Sequence, residues 1–317
     1  MGAAIFGYNG VMGNKAMKNR LPDLGGRTAV VTGTGGIGYE AAFALAGAGA
    51  DVIIAGRNAQ EGARAAESIR AAFPGASVRF EPLDLMDSGS IAAFCGRMEE
   101  GLKSLHILMC IAGLMMPDDL KTTEEGVESQ FAVNYLGHFA LTAGLFPLLK
   151  AAGCARVVTV SSIANRPVRF DLRDATAARG YSASVSYALS KLSCLMFAIE
   201  LARRSEEGGW GVFAYGVHPG LARTRLFHRS HGFTMTLLQC IFFILPFIRQ
   251  SAKNAAKPAL FAAASRNAVS GGYYGPWFLG VMGPPRRALK PLRAKNPALR
   301  KELWDLSVSL TGKDIIP

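Results

Sequence analysis

Metal-ligand spacing is missing from this sequence. Its five histidines form no HExxH or comparable cluster, and its five cysteines, Cys95, Cys110, Cys154, Cys194 and Cys240, contain no CxxC pair. No bound metal is expected. An odd set of cysteines lying mostly in apolar runs reads as buried free thiols in a reducing compartment, not as a disulfide framework. Acidic residues are also scarce: 23 Asp and Glu stand against 35 Lys and Arg, a net charge of +12. No basic run interleaved with aromatics accompanies that charge, and no zinc-finger spacing, so nucleic acid is not expected as a partner. An anionic membrane surface and a phosphate-bearing cofactor stay open as reasons for it. The most conspicuous apolar run is too short to span a bilayer. The most apolar stretch, 233–248, has 16 residues, about 24 Å of helix against a hydrocarbon core of about 30 Å, and Gln239 and Pro246 interrupt it. Three readings of it stay open: a lid over an apolar pocket (about 226–250), an interfacial helix, or a dimer contact. A secretory leader is not expected either. Residues 1–13 are apolar and glycine-rich with Lys15, Lys18 and Arg20 behind them, the reverse of signal-peptide order. Residues 1–22 read as a short arm, with peripheral membrane contact open and the cytoplasm as the expected compartment. No internal repeat or low-complexity tract divides the rest, so 23–317 is expected to be one domain.

What is present is alternation. Half the residues are apolar, a globular composition. Residues 28–31 form a short apolar run, then comes the turn Thr32-Gly33-Thr34-Gly35-Gly36-Ile37-Gly38, then an Ala- and Leu-rich stretch at 39–48. This is strand, tight turn, helix. Glycines let the backbone approach a pyrophosphate, and a helix N-terminus offers free N–H groups to the anion. A Walker loop is excluded because no Gly-Lys-Ser/Thr follows. A second strand at 51–55 ends at Gly56-Arg57-Asn58. Where NAD-preferring Rossmann units place an acid, this chain offers Arg57, which can pair with a 2′-phosphate. Further strands are expected at 78–85, 106–111, 156–160 and 211–217. Asp87 is the expected N-cap of a helix through Glu99. Thr122 and Glu125 have capping-box spacing and are expected to open a helix running through Asn134 to Leu149. A terminal helix is expected at about 297–311. Strands alternating with helices predict an α/β fold, a doubly wound parallel sheet with helices on both faces.

The stretch Tyr187-Ala188-Leu189-Ser190-Lys191 opens a helical segment free of Gly and Pro, and a spacing of four sets Tyr187 and Lys191 on one face. A free tyrosine, with a pKa of about 10, exchanges protons poorly at neutral pH. An ammonium beside it favours the phenolate. Lowering the pKa by about three units takes roughly 4 kcal/mol, which a close, partly desolvated pair can supply.

Taken in order, several stretches resemble the short-chain dehydrogenase/reductase family and, within it, the retinol-dehydrogenase-like members. They are Asp23-Leu24-Gly25-Gly26-Arg27-Thr28-Ala29-Val30-Val31-Thr32-Gly33, Asn134-Tyr135-Leu136-Gly137-His138-Phe139, Val157-Val158-Thr159-Val160-Ser161-Ser162, Tyr181-Ser182 ahead of the Tyr187 stretch, His218-Pro219-Gly220, and Gly272-Tyr273-Tyr274-Gly275-Pro276. The likeness covers about 21–312. It implies a single-domain Rossmann-like fold and a catalytic tetrad of Asn134, Ser162, Tyr187 and Lys191. Tyr187 would exchange the proton, Lys191 would lower its pKa and bind the nicotinamide ribose, Ser162 would hold the reacting oxygen, and Asn134 a relay water. It also implies a cofactor site: Gly33, Gly36, Ile37 and Gly38 at the pyrophosphate, Arg57 at the 2′-phosphate, Asp84 and Leu85 at the adenine, Ala112 and Gly113 after the fourth strand, and Pro219, Gly220, Ala222 and Thr224 at the carboxamide, beside Asn134, Tyr187 and Lys191. The implied activity is NADP(H)-dependent interconversion of a carbonyl and an alcohol on a lipophilic molecule of retinoid, steroid, polyprenoid or polyketide type, with reduction expected. NAD(H) is the less expected cofactor. A homo-oligomer built through the helices of Asn134 and Tyr187 is open. Two departures stand out. The glycine turn is one residue shorter than the family's Thr-Gly-x-x-x-Gly-x-Gly, and Cys110-Ile111 replace the Asn-Asn before Ala112-Gly113, which predicts a backbone polar group without its amide partner. They motivate the alternative of a low-turnover dinucleotide-binding scaffold or sensor.

Overall fold

The computed structural model describes residues 21–165, 171–176, 180–221 and 250–316. The arm at 1–20, most of the apolar stretch 226–250, Ala222, Thr224 and Cys240 lie outside them.

Short runs form the sheet, several of the inner ones rich in Val and Ile. In chain order its strands are β1 (Thr28–Thr32), β2 (Asp51–Gly56), β3 (Val78–Pro82), β4 (Ile107–Cys110), β5 (Ala155–Val160), β6 (Val212–Val217), β7 (Tyr273–Phe278) and β8 (Met282–Arg287). Their spatial order is β3-β2-β1-β4-β5-β6-β7-β8. All neighbours pair in parallel except β7 and β8, which are antiparallel. The expected parallel sheet is present, with two strands more than the sequence suggested. Gly275 and Pro276 hid β7, and Pro284 and Pro285 hid β8. β8 is an edge strand, where proline costs no ladder bond on its outer side and blocks further pairing.

Side chains alternate between the faces, as a period of two demands. Val30, Ile53, Leu108 and Val157 point into one hydrophobic cluster, while Ala29, Val31, Ile54, Met109 and Val158 point into the other. The second face is covered by α1 (Gly36–Gly47) and α2 (Ala59–Ala72). The first is covered by α3 (Ser88–Gly101), which starts at the expected N-cap: Asp87 Oδ1 accepts from the N–H groups of Gly89 and Ser90.

The capping-box expectation fails. Gly126, at φ 79°, turns the chain, and Thr122 forms an antiparallel bridge with Glu128. The helix opens later, as α4 (Ser129–Phe131), capped by Glu128 Oε2 on Phe131 N at 3.0 Å. It widens into a π turn, Ala132–Leu136, then continues as α5 (Gly137–Gly144) and α6 (Phe146–Ala151).

Two long helices follow. The first, α7 (Ala183–Gly208), ends at Gly209 in the left-handed region. It is long and apolar enough to cross a membrane, but most of its apolar window is buried inside the protein, so it is the core helix of the domain. Beyond α8 (Ala252–Ala264) and α9 (Leu292–Lys295), α10 (Pro297–Thr311) starts with Pro297 in its first turn and Asn296 accepting from two backbone N–H groups. It closes over α5 and α7. Trp304 meets Phe139 edge-on at 5.3 Å and Phe197 at 6.0 Å, and Tyr135 Oη lies 2.6 Å from Ser307 Oγ. Buried Glu200 of α7 accepts from Arg203, Arg204 and Arg300, tying α10 down. One side of α5 and of α7 is thus covered by α10.

Candidate active site

The strand order reverses at β1, which lies between β2 and β4. Chains leaving the C-terminal ends of β1 and β4 turn opposite ways there and open a crevice. The turn after β1 enters it first. Gly33 takes φ +100° and Gly36 φ +53°, values that favour glycine. A Cβ on Gly38 would collide with the Gly33 carbonyl, so α1 packs against its own turn. The shortened turn therefore still closes. α1 has no side-chain cap and no acid in its first turn, unlike α2, α3 and α10, which are capped by Asn58, Asp87 and Asn296. Its N-terminal N–H groups are suited to an anion. Ile37 packs against Ala255 and Ala256 of α8. Arg57 is exposed after β2 and makes no ion pair or hydrogen bond among the described residues. Asp84 Oδ1 accepts from Met86 N, and the Leu85 carbonyl packs where Gly137 has no Cβ. Gly220, at φ +72°, lies against Val281, and Gln250 donates to Pro219 O.

The crevice leads to the proton-handling groups. The Gly33 backbone approaches Ala112, and a Cβ on Gly113 would lie 2.7 Å from Asn134 Oδ1 and 3.4 Å from Lys191 Nζ. Tyr187 and Lys191 are both buried on one face of α7, with Lys191 Nζ 5.9 Å from the Tyr187 ring centre and donating to Val160 O at 3.0 Å. Ser162, just past β5, faces the phenol. Burial pushes the Tyr187 pKa up to about 12, with the Ser162 hydroxyl holding it partly down. Burial also lowers that of Lys191. The expectation of a phenol made acidic by its neighbour is therefore not met in this structure. Desolvation is the dominant influence on the phenol, and the ammonium is directed at a carbonyl. Such a phenol stays protonated at neutral pH and is a donor.

Asn134 sits in the π turn. Its Nδ2 donates to Leu114 O and Ser190 Oγ, and its Oδ1 accepts from Leu114 N at 2.7 Å. The amide thus joins the loop after β4 to α7. Its main-chain carbonyl accepts from Cys194 Sγ and from His138 Nδ1. Because a carbonyl only accepts, His138 carries its proton on Nδ1, and Nε2 accepts from the Thr32 hydroxyl at 2.9 Å. The Thr32 oxygen in turn accepts from the N–H groups of Ile111 and Ala112 at 2.9 and 3.0 Å. Here the expected loss is made good: with Cys110-Ile111 in place of two amides, the strand-end N–H groups still have a partner.

His138 is buried, and burial holds its pKa down at about 4, against 6.5 in the open. The unfolded chain thus binds the extra proton first. The stabilisation is complete above about pH 6.5 and is lost as pH falls towards 4, on the order of 3 kcal/mol in all. Denaturant titrations at pH 7 and pH 4.5 are expected to show that loss, and His138→Gln should have a shallower pH dependence by one proton.

Sequence reasoning missed Thr32, His138, Asn165 and Tyr273 as site supports. Asn165 Nδ2 donates to Ser161 Oγ and Tyr273 Oη, Ser161 Oγ donates to Lys191 O, and Tyr273 Oη donates to Ser162 O. The main chain at two of the four catalytic candidates, Ser162 and Lys191, is braced through it. The stretches quoted above contain Thr32, His138 and Tyr273, but nothing in their spacing says that they meet. Among the described residues no group of three or more His, Cys, Asp or Glu is placed to hold a metal ion.

Residues 27–232 match the family model described as short chain dehydrogenase. The chain is 38% identical to retinol dehydrogenase 12 of Mus musculus over 292 residues, 90% of this chain and 87% of that protein. It is 34% identical to polyprenol dehydrogenase of Mus musculus over 301 residues, 92% and 86% of the two. The crystal structure of an uncharacterized protein from Mycobacterium paratuberculosis superposes with a TM-score of 0.77 at 33% identity, covering 94% of this chain and 97% of that one.

Proposed function

We propose, from the premise that this chain belongs to the short-chain dehydrogenase/reductase family, that it is an NADP(H)-dependent oxidoreductase reducing a carbonyl on a lipophilic molecule of retinoid or polyprenoid type. The observation that carries this is the grouping of half-buried Ser162 with buried Tyr187 and Lys191 at the inner end of the glycine-turn crevice. Members of the family bind a nicotinamide dinucleotide, which supplies the hydride when bound. The residues present fit it: the uncapped α1 N-terminus and the Gly33–Gly38 turn suit the pyrophosphate, and Asp84 suits the adenine. Lys191, beside Gly113 and Asn134, suits the ribose.

Ser162 holds the substrate oxygen against Tyr187, and Tyr187 delivers its proton to that oxygen. Lys191 stabilises the charge left on the phenol, and a relay water held beside Asn134 returns a proton to it. Burial keeps Tyr187 protonated at neutral pH, the form that carbonyl reduction needs. Leu114, Met115 and Met116 follow the Gly113 turn as an apolar, half-buried strip, suited to a greasy substrate. NADP over NAD rests on Arg57, an uncommitted guanidinium where a 2′-phosphate would lie.

Two measurements test this reading. Purified protein should oxidise NADPH in the presence of hydrophobic aldehydes or ketones; nucleotide binding with no turnover across such a panel would support the scaffold alternative instead. Arg57→Ala should weaken NADPH binding by about 10–100-fold, the worth of charge-assisted hydrogen bonds, and leave NADH binding within about twofold. Equal losses for both nucleotides would reject Arg57 as the phosphate reader.

A further inference from the structure

The basic charge of this protein is not spread over it. Residues 208–301 hold fourteen Lys and Arg and no Asp or Glu, while the remainder, with 21 basic and 23 acidic residues, is close to neutral. In the fold, much of that charge lies on the β7–β8 hairpin and the segment after it. Arg286, Arg287, Arg293 and Lys295 are exposed and have no ion pair among the described residues. Lys290 is half-buried beside Arg287, Arg300 and Lys295, and its pKa is lowered by burial first and then by these three cations. Arg300 is answered by buried Glu200, whereas the exposed Arg286, Arg287, Arg293 and Lys295 have no such acid, and like charges crowded in this way favour an external anion.

The same surface is apolar where soluble proteins usually are not. Leu279 at the hairpin tip is 81% exposed, Leu289 83% and Leu292 82%, and Trp277 and Phe278 are more than half exposed. A groove between Trp277, Gly280, Arg286, Arg287 and Leu289 brings aromatic, aliphatic and guanidinium groups together. Leu279 also takes φ +50°, a conformation uncommon for a residue with a side chain. Leu221 N and Gln250 Nε2 both donate to Val281 O in this hairpin.

We infer that the β7–β8 hairpin and the segment 286–295 form a docking face for an anionic lipid bilayer. Tryptophan and phenylalanine sit well at a membrane interface, exposed leucines enter its acyl boundary, and clustered Lys and Arg meet the lipid phosphates. Three bare leucines argue against nucleic acid, which offers them no apolar surface. A second copy of the chain is disfavoured because four unpaired cations would meet four others. The inference does not rest on the proposed reaction.

The test is co-sedimentation of the full chain with phosphatidylcholine vesicles, with and without about one third phosphatidylserine, at low and high salt. Binding to the anionic vesicles is expected, weakening with salt. At roughly fivefold per cation near the surface, Arg286→Gln with Arg287→Gln should weaken binding about 30-fold. Phe278→Ser with Leu279→Ser should weaken it on neutral and anionic vesicles alike. Each variant should keep the circular dichroism spectrum and NADPH affinity of the wild type, so failure here stays separate from failure of the proposed activity. Four outcomes would overturn the inference: no vesicle binding, vesicle binding unchanged in both double variants, tighter binding to duplex DNA than to anionic vesicles, or concentration-dependent dimerisation abolished by the hairpin variant.

Discussion

Tyr187→Phe is expected to lower turnover by about 10²–10⁴-fold, the usual contribution of a positioned proton donor, with NADPH affinity within about twofold of wild type. The ring stays, so its packing on α7 stays; only the hydroxyl facing Ser162 goes. Single-turnover kinetics and calorimetry separate the two effects, and equal rates for variant and wild type would remove Tyr187 from the chemistry. The pH dependence gives a second readout. With the phenol's pKa near 12, alcohol oxidation needs a base present in only a small fraction at neutral pH. Its kcat/KM should climb about tenfold per pH unit from 7 to 10, while carbonyl reduction stays nearly flat. A plateau in oxidation below pH 9 would mean that the ammonium of Lys191 governs the phenol after all.

Trp304→Ala is expected to destabilise the fold by about 3–5 kcal/mol, the cost of emptying a large aromatic site. The indole is buried against Phe139 and Phe197, and Arg204 lies over it at 4.1 Å. Equilibrium denaturation measures the loss. Conservative Trp304→Phe keeps the apolar contact and should recover more than half of it. Because α10 covers α5 and α7, sedimentation of the Trp304→Ala protein should also show new self-association through the uncovered face.

The alternation of strands and helices was legible because the buried strands are short apolar runs followed by turn-forming residues, such as Gly33 after β1, Gly56 at the end of β2 and Pro219-Gly220 after β6. Six of the eight strands announced themselves in this way. β7 and β8 did not, since edge strands tolerate the prolines that argue against a central one. The helix of Asn134 was misplaced because Thr122 and Glu125 imitate a cap, whereas the cap is made by Glu128, a buried carboxylate whose role depends on three-dimensional surroundings. At the site, Tyr187 and Lys191 could be paired from a spacing of four. The sign of the phenol's pKa could not be read, because it is set by how completely α7 is enclosed. Thr32 and His138 are 106 positions apart and meet only in the folded chain, so their substitution for the missing amide left no local trace.

The placement of α10 has a consequence for biosynthesis. A ribosome finishes α7 and must then add roughly 90 residues before α10 exists, about 5–20 seconds of synthesis. Throughout that interval the outer side of the tyrosine-bearing helix is greasy and uncovered, a surface for chaperones to hold. A premature stop codon before Pro297 would leave Asn134, Ser162, Tyr187 and Lys191 all encoded, yet deliver a polypeptide that clumps rather than works.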